Sequence, residues 1–320
     1  MTSRRDFLAH SASCAAHLAL AAAAMPLPLR SVWAWSTRGA VVAREPFGTL
    51  EKVAEGVWAL VSDPFGGDRT TLCNGGLIAG RDGVVAIEGF FQSAGARWLA
   101  ERARELTGRW PTHVALTHHH ADHVNGVAGY LGDAPRPVLR ATAHTQETAL
   151  ARATPADADR VAALRDVVMI TVAQASTIDL GGHTVRVVPR DGHTSSDTTL
   201  ELDDPSVVFC GDLVWNGIFP NYVDATPSRL SRQVRMLRRP RTTIYVPGHG
   251  AIADDAAVDR YLAVLDEVER AARQAHASGM APADAASRFA LPSSLGEWRM
   301  FGKVFFERAF TAWERELRGR

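Results

Sequence analysis

Residues 115–126 read ALTHHHADHVNG. A short apolar run gives way to a segment in which His118, His119, His120, Asp122 and His123 fall within six positions. In an extended chain alternate residues share a side, so Val114, Leu116, His118 and His120 point one way and His119 the other. His118 and His120 can therefore reach one metal ion from the end of a strand. Asp122 and His123 follow where the chain turns, placed to serve a second ion. Zinc takes neutral imidazole and carboxylate ligands, usually four per ion, so this cluster is too small to complete two ions. Three other segments offer the missing groups. Asp191-Gly192-His193-Thr194 follows a predicted strand at 185–188, Gly211-Asp212 follows one at 207–210, and Pro247-Gly248-His249-Gly250 follows one at 243–246. Each sets a metal-binding residue type beside glycine just past an apolar strand. That recurrence distinguishes a metal centre from a solvated polar loop.

The rest of the chain supplies a scaffold. Apolar β-rich runs at 53–61, 72–78 and 84–87 are divided by Gly66-Gly67-Asp68 and Arg81-Asp82-Gly83, which predicts an antiparallel start. Trp98, Leu99, Arg102 and Leu106 predict a helix over 94–106, and a short strand at 113–117 leads into the histidines. A helix-compatible run covers 124–131, and helices are expected around 145–165. Strands follow at 184–188, 198–202, 207–210 and 243–246. Val258, Leu262, Leu265, Val268 and Ala272 form one late helical stripe; Trp298, Phe301, Phe305, Ala309 and Ala312 form another. Strands then helices, twice over, predict two sheets with helices outside.

THHHADH, DGHT, CGD and PGHG, in this order, resemble the metallo-β-lactamase superfamily of binuclear zinc hydrolases over roughly residues 50–250. The resemblance implies an α/β fold, a four-layer αββα sandwich of mixed sheets with the metals at one edge. It implies two Zn2+ per chain, with iron or manganese as alternative occupants. His118, His120 and His193 would hold one ion, Asp122, His123 and His249 the other, and Asp212 would bridge them. Two ions about 3.5–4 Å apart share a water and lower its pKa toward ~7. The resulting hydroxide would attack an ester, thioester or lactone carbonyl, with Asp122 holding the water and passing on its proton. Glu88, where the family usually carries Asp, is a candidate for orienting a ligand imidazole from behind, and Thr194 is grouped with it. Phe65, at a predicted hairpin tip, and Trp215, Phe219 and Tyr222, which follow Asp212, are candidate substrate-pocket residues; ordinary packing is the alternative. THHHADH is similar to the glyoxalase II type, although that type's basic glutathione-binding pattern is not evident. The chain also resembles zinc hydrolases found beside periplasmic quinoprotein dehydrogenases. Two other activities stay open: β-lactamase-type amide hydrolysis, disfavoured by Asp rather than Cys or Ser at 212, and a mononuclear iron oxidoreductase of the persulfide dioxygenase type. A non-catalytic metal-binding protein is the third reading.

The chain has 320 residues, is 46% hydrophobic and carries no formal net charge. That balance gives no reason to expect a nucleic-acid or anionic-membrane partner and fits a small-molecule substrate. Ser3-Arg4-Arg5-Asp6-Phe7-Leu8 resembles the twin-arginine export motif. A weakly apolar segment at 18–29 follows, then a small-residue cleavage site at Val32-Trp33-Ala34. Residues 1–34 therefore read as a signal peptide and 35–320 as a periplasmic hydrolase domain with C-terminal helices, not stably inserted in a membrane once the signal is removed. An uncleaved anchor and a cytosolic protein with a chance arginine pair are the alternatives. Cys73 and Cys210 read as small buried hydrophobes, with a disulfide as the alternative. His113, His119, His144, His183 and His276 read as surface or hydrogen-bonded residues. No feature of the sequence fixes the oligomeric state.

Overall fold

The computed structural model describes residues 39–132 and 135–319, and two sheets form among them. The first contains β1 (Ala40–Glu45), β2 (Gly48–Ala54), β3 (Val57–Ser62), β4 (Gly75–Ala79), β5 (Val84–Ile87), β6 (His113–Ala115), β7 (Val138–Ala141) and β8 (Val168–Met169), in that spatial order. Pairing is antiparallel from β2 to β5 and parallel from β5 to β8. The second sheet contains β9 (Ser176–Asp179), β10 (Thr184–Arg190), β11 (Asp197–Leu202), β12 (Val207–Asn216) and β13 (Ile244–Gly250). It is antiparallel except for the β12–β13 pair.

The residue pattern explains the layering. Along β3, Val57 and Ala59 face one way while Trp58 and Leu60 face the other, as a two-residue period requires. The Val57 side meets Ile78, Val85, Ile87, Val187, Leu200 and Phe209 in a core between the sheets. The Trp58 side joins Leu77, Ala86 and Val114 under Leu99 and Ala103 of helix α1 (Ser93–Thr107). On the far side of the second sheet, Val208 and Tyr245 pack beneath three further helices, numbered after α2 (Ala121–Val124), α3 (Ala143–Ala151) and α4 (Ala158–Leu164). These are α5 (Pro227–Leu237), α6 (Asp255–Ala277) and, beyond α7 (Pro282–Arg288), α8 (Val304–Arg318). Helix α6 starts where the Asp254 side chain accepts from Ala257 N at 2.9 Å, an N-cap contact that satisfies one free amide. It buries Val258, Leu265, Val268 and Ala272, each large side chain contributing roughly 1.5–3 kcal/mol. The result is the expected αββα sandwich, with the central strands of both sheets buried on both faces.

Several boundaries differ from expectation. The run at 53–61 is a hairpin, turned at Glu55 and Gly56 between β2 and β3. The helix-compatible run at 124–131 forms only the short α2 and a 3-10 turn, Val127–Tyr130. The last stripe is a helix only from Val304. Trp298 and Phe301 precede it in an extended segment that bridges Ile218 through Arg299. Cys73 and Cys210 are buried and unpaired with each other, one in each outer core. The twin-arginine motif, the apolar segment, the cleavage site and Cys14 lie outside the described residues. Among the described residues no helix is long and apolar enough to cross a membrane.

Candidate metal centre

The seven candidate ligands come from five places in the chain and meet at one edge of the sandwich. Strand β6 ends at Ala115, and the chain runs on through a bend at His119 to His120, which has φ −66 and ψ 151 as the residue before α2. Its alternation sends His118 and His120 to the same side, ring centroids 4.7 Å apart. The single turn of α2 then carries Asp122 and His123. His193 sits in the loop from β10 to β11, Asp212 within β12 and His249 within β13. β12 and β13 run parallel, so both reach the site from the same direction.

Local backbone features aim these groups. β12 shifts register around Gly211, whose φ of +52 suits glycine. The shift breaks alternation, so Cys210 packs into the helix-side core while Asp212 faces the histidines. A Cβ at Gly248 would lie 2.0 Å from Asp212 Oδ1, so the chain before His249 passes Asp212 only as glycine.

Two sets of donor atoms result. In the first, His120 Nδ1 lies 3.0 Å from His118 Nε2 and 3.0 Å from His193 Nε2. Asp212 Oδ2 is 3.2 Å from His193 Nε2 and 3.8 Å from His118 Nε2. In the second, Asp212 Oδ1 is 3.1 Å from His123 Nε2 and 3.3 Å from His249 Nε2. Asp122 Oδ2 is 3.2 Å from His249 Nε2 and 3.7 Å from His123 Nε2. Zinc bonds of about 2.0–2.1 Å in tetrahedral geometry set ligand atoms roughly 3.3 Å apart, so both sets have the right span. Three imidazole nitrogens turned on one another cannot all be hydrogen-bonded, since each contact needs one proton between two lone pairs. A shared cation satisfies them, and the nitrogen and oxygen donors fit zinc.

Protonation differs between the sets. Burial pushes His118 well below its ordinary 6.5 and holds His193 at about 3, so both are neutral lone-pair donors at neutral pH. Burial also opposes charge on His249, but Asp212 and Asp122 outweigh it and raise this imidazole to about 9. Asp122 is held at about 2, the penalty of burial being overcome by His123 and His249. With its side chain 24% exposed, Asp122 is the most accessible of the seven, against 11% for His120.

Around the donors lies a set of fastenings. Glu88 Oε1 sits 3.0 Å from His123 Nδ1 and accepts from the Thr117 hydroxyl at 2.6 Å, the position expected of a carboxylate that orients a ligand. The Thr194 amide and hydroxyl donate to Asp197 Oδ1, at 3.0 and 2.7 Å. Asp197 also accepts from His193 N at 2.9 Å and so ties the loop. Burial raises its carboxyl to about 7. Asn74 joins the sheets: its Nδ2 donates to Pro247 O and Gly250 O at 2.9 and 2.8 Å, and its Oδ1 accepts from Ser62 N at 2.8 Å. The Cys73 thiol donates to Asp122 O at 2.9 Å. Asp224 lies 2.9 Å from His120 Nε2. Asp197 has a signal, a Thr three residues before an acid in a polar turn; Asn74 and Asp224 have none.

The four aromatic candidates separate. Trp215 stacks on His249 with centroids 4.0 Å apart, but it is buried behind that ring. Phe219 and Tyr222 do not line the site. They are buried in the helix-side core, Phe219 edge-on to Phe306 at 4.8 Å, because the chain after β12 dives under α8. Phe65 is half-buried and stacks on Phe301 at 4.7 Å. Phe301, read as a helix-stripe residue, is instead 43% exposed and 6.2 Å from the His249 ring. With Phe65 it forms an apolar pair beside His249.

Residues 69–249 match the family model described as the Metallo-beta-lactamase superfamily. A hydroxyacylglutathione hydrolase of Parasynechococcus marenigrum (strain WH8102) is 28% identical over 221 residues, covering 63% of this chain and 74% of that protein. Another, from Acidiphilium cryptum (strain JF-5), is 29% identical over 199 residues, covering 61% and 73%. A metallo-beta-lactamase from Pontibacter korlensis superposes with a TM-score of 0.56 at 20% identity, over 68% of this chain and 98% of its own. The sec-alkylsulfatase Pisa1 from Pseudomonas sp. gives 0.65 at 14%, over 84% and 50%. At these identities the structural likeness concerns the fold alone.

Proposed function

The chain belongs to the metallo-beta-lactamase superfamily, and from that premise we propose that it is an exported binuclear zinc hydrolase acting on a thioester, ester or lactone carbonyl. The observation that carries the reading is Asp212, whose Oδ2 faces the His118, His120 and His193 set while Oδ1 faces His123 and His249. A carboxylate divided in this way is placed to bridge two ions. Bound ions would supply Lewis acidity and a lowered water pKa at this point. His118, His120 and His193 would hold one, and Asp122, His123 and His249 the other. Asp122, ionised at neutral pH and the most open of the seven, is the group that holds the attacking water and accepts its proton. Phe65 and Phe301 offer the substrate an apolar wall beside His249. The names of the relatives, hydroxyacylglutathione hydrolases, put a thioester first among the three carbonyl classes.

The test is metal analysis of protein grown in metal-defined medium, followed by a panel of thioester, ester, lactone, phosphodiester and β-lactam substrates. Two zinc per chain and turnover of one of the first three support the proposal. Asp212→Ala should then lose one ion and nearly all activity. One iron per chain, turnover restricted to the β-lactam, or a fully loaded Asp212→Ala protein would each refute it.

A further inference from the structure

The His120 ring is addressed from both ends. Its Nδ1 faces the first donor set, 3.0 Å from His118 Nε2 and from His193 Nε2. Its Nε2 lies 2.9 Å from Asp224 Oδ2. A neutral imidazole that offers its Nδ1 lone pair to a cation carries its proton on Nε2, and Asp224 is where that proton is accepted. Asp224 lies on the loop between β12 and α5, away from every sequence segment that supplied the donors. His119 points away from the centre, as its place between His118 and His120 requires, and its Nε2 reaches the same Asp224 oxygen at 3.3 Å. His119 is 4% exposed, so this second contact fixes the carboxylate against a nearly immobile ring. Arg152 stands 3.8 Å away on the solvent side.

The arrangement repeats, with one difference, what Glu88 does for the second set. Glu88 backs His123 from inside the protein, 1% exposed and held by Thr117. Asp224 backs His120 from the rim, its side chain 35% exposed. Each donor set therefore has one carboxylate behind one of its imidazoles, and the two carboxylates touch different sets. Such outer carboxylates fix ring orientation and raise ligand basicity.

We propose that Asp224 is a positioning residue: it holds His120 with Nδ1 toward the His118, His120 and His193 set and thereby tunes the affinity of that set alone. The proposal rests on the binuclear reading above. Its test is stepwise zinc affinity, measured by competition with a chromophoric chelator, together with the absorption bands of the cobalt-loaded protein. Asp224→Ala should weaken one of the two ions by 10–100-fold, the range typical for loss of such a partner, and leave the other unchanged. The cobalt bands of the weakened site should shift. Asp224→Asn, whose amide oxygen can still accept from His120, should recover much of the loss, and it carries the test if the alanine variant does not fold. Unchanged affinities and bands in Asp224→Ala, with two ions in the wild type, overturn the proposal and leave the hydrolase reading standing. Equal weakening of both ions also overturns it, because the effect would then be general loosening. A wild type that binds fewer than two ions overturns both readings.

Discussion

Asn74 offers a quantitative check on how the two sheets are held in register at the site. Its side chain satisfies three backbone groups, two of them buried: Ser62 N through Oδ1, and Pro247 O and the half-buried Gly250 O through Nδ2. The residue is 3% exposed, so water does not readily replace it. Asn74→Ala leaves all three partners unmet. Each unsatisfied buried group costs about 1–3 kcal/mol, and Gly250 is only half-buried, so the two fully buried partners, Ser62 N and Pro247 O, set a cost of roughly 2–6 kcal/mol. Against a total stability of about 5–15 kcal/mol that is a large fraction. Asn74→Asp keeps the acceptor, loses both donors and sets a negative charge against two carbonyl oxygens, so it should be at least as damaging at neutral pH. The assay is urea unfolding of the metal-free protein, which separates the clamp from any contribution of bound ions. The same carbonyls flank His249, so both variants should also weaken one zinc ion more than the other. A loss below ~1 kcal/mol in Asn74→Ala would show that the contacts are replaced by water and that the reasoning is wrong.

Glu201 tests a different contact. It is 5% exposed and paired with Arg190 at 2.7 Å and Arg239 at 2.8 Å. Burial alone would raise its carboxyl, but those guanidiniums and Thr199 outweigh it and hold the value below the ordinary 4.5. A depressed carboxyl contributes stability that is complete above pH 4.5 and is lost as pH falls below it. Glu201→Gln should thus cost about 3–5 kcal/mol at pH 7 and progressively less below pH 4.5; a gap that stays constant down to pH 3.5 in urea melts would refute the charge argument. For export, replacing Arg4 and Arg5 with Lys should strand zinc-loaded, folded protein in the cytoplasm, and normal periplasmic recovery of that variant by fractionation would count against the twin-arginine route.

The donor residues were legible because the chemistry restricts them to a few residue types, placed where strands end. Asp212 and His249 follow apolar runs in strands that continue past them, His193 lies in the loop after β10, and the sandwich could be read from the same runs. The supports were not legible, because many side chains can accept or donate a single hydrogen bond. Asn74 is one polar residue in an apolar run, and Asp224 lies in a loop whose course depends on how α8 packs. The aromatic residues failed for a related reason. Apolar character alone does not say whether a ring faces a pocket or a core. Phe219 and Tyr222 went under α8, while Phe301 escaped burial because the helix that would have carried it starts three residues later. The hairpin at Glu55-Gly56 was hidden because apolar residues stand on both sides of the turn, Val53 and Ala54 before it and residues 57–61 after it.

The supports also explain how the site keeps its geometry. Each histidine of the two sets has a support at its ring or its backbone, and each is different. Thr117 Oγ1 meets His118 Nδ1 at 3.0 Å. Asp224 backs His120, and Glu88 backs His123. Asp197 takes the backbone of His193, and Asn74 takes the carbonyls on either side of the segment that carries His249. Ordering a free side chain costs up to about 1.5–2 kcal/mol of rotamer entropy, and a loop costs more. Here those costs are met by folding, so a cation entering the site orders little, and its binding free energy is retained as affinity. Because both sheets contribute donors to each set, the same fastenings that shape the centre also hold the sheets together at this edge. Glu88, Asp224, Asp197 and Asn74 all lie outside the segments that carry the candidate donors, so the shape of the centre rests on residues from other parts of the chain.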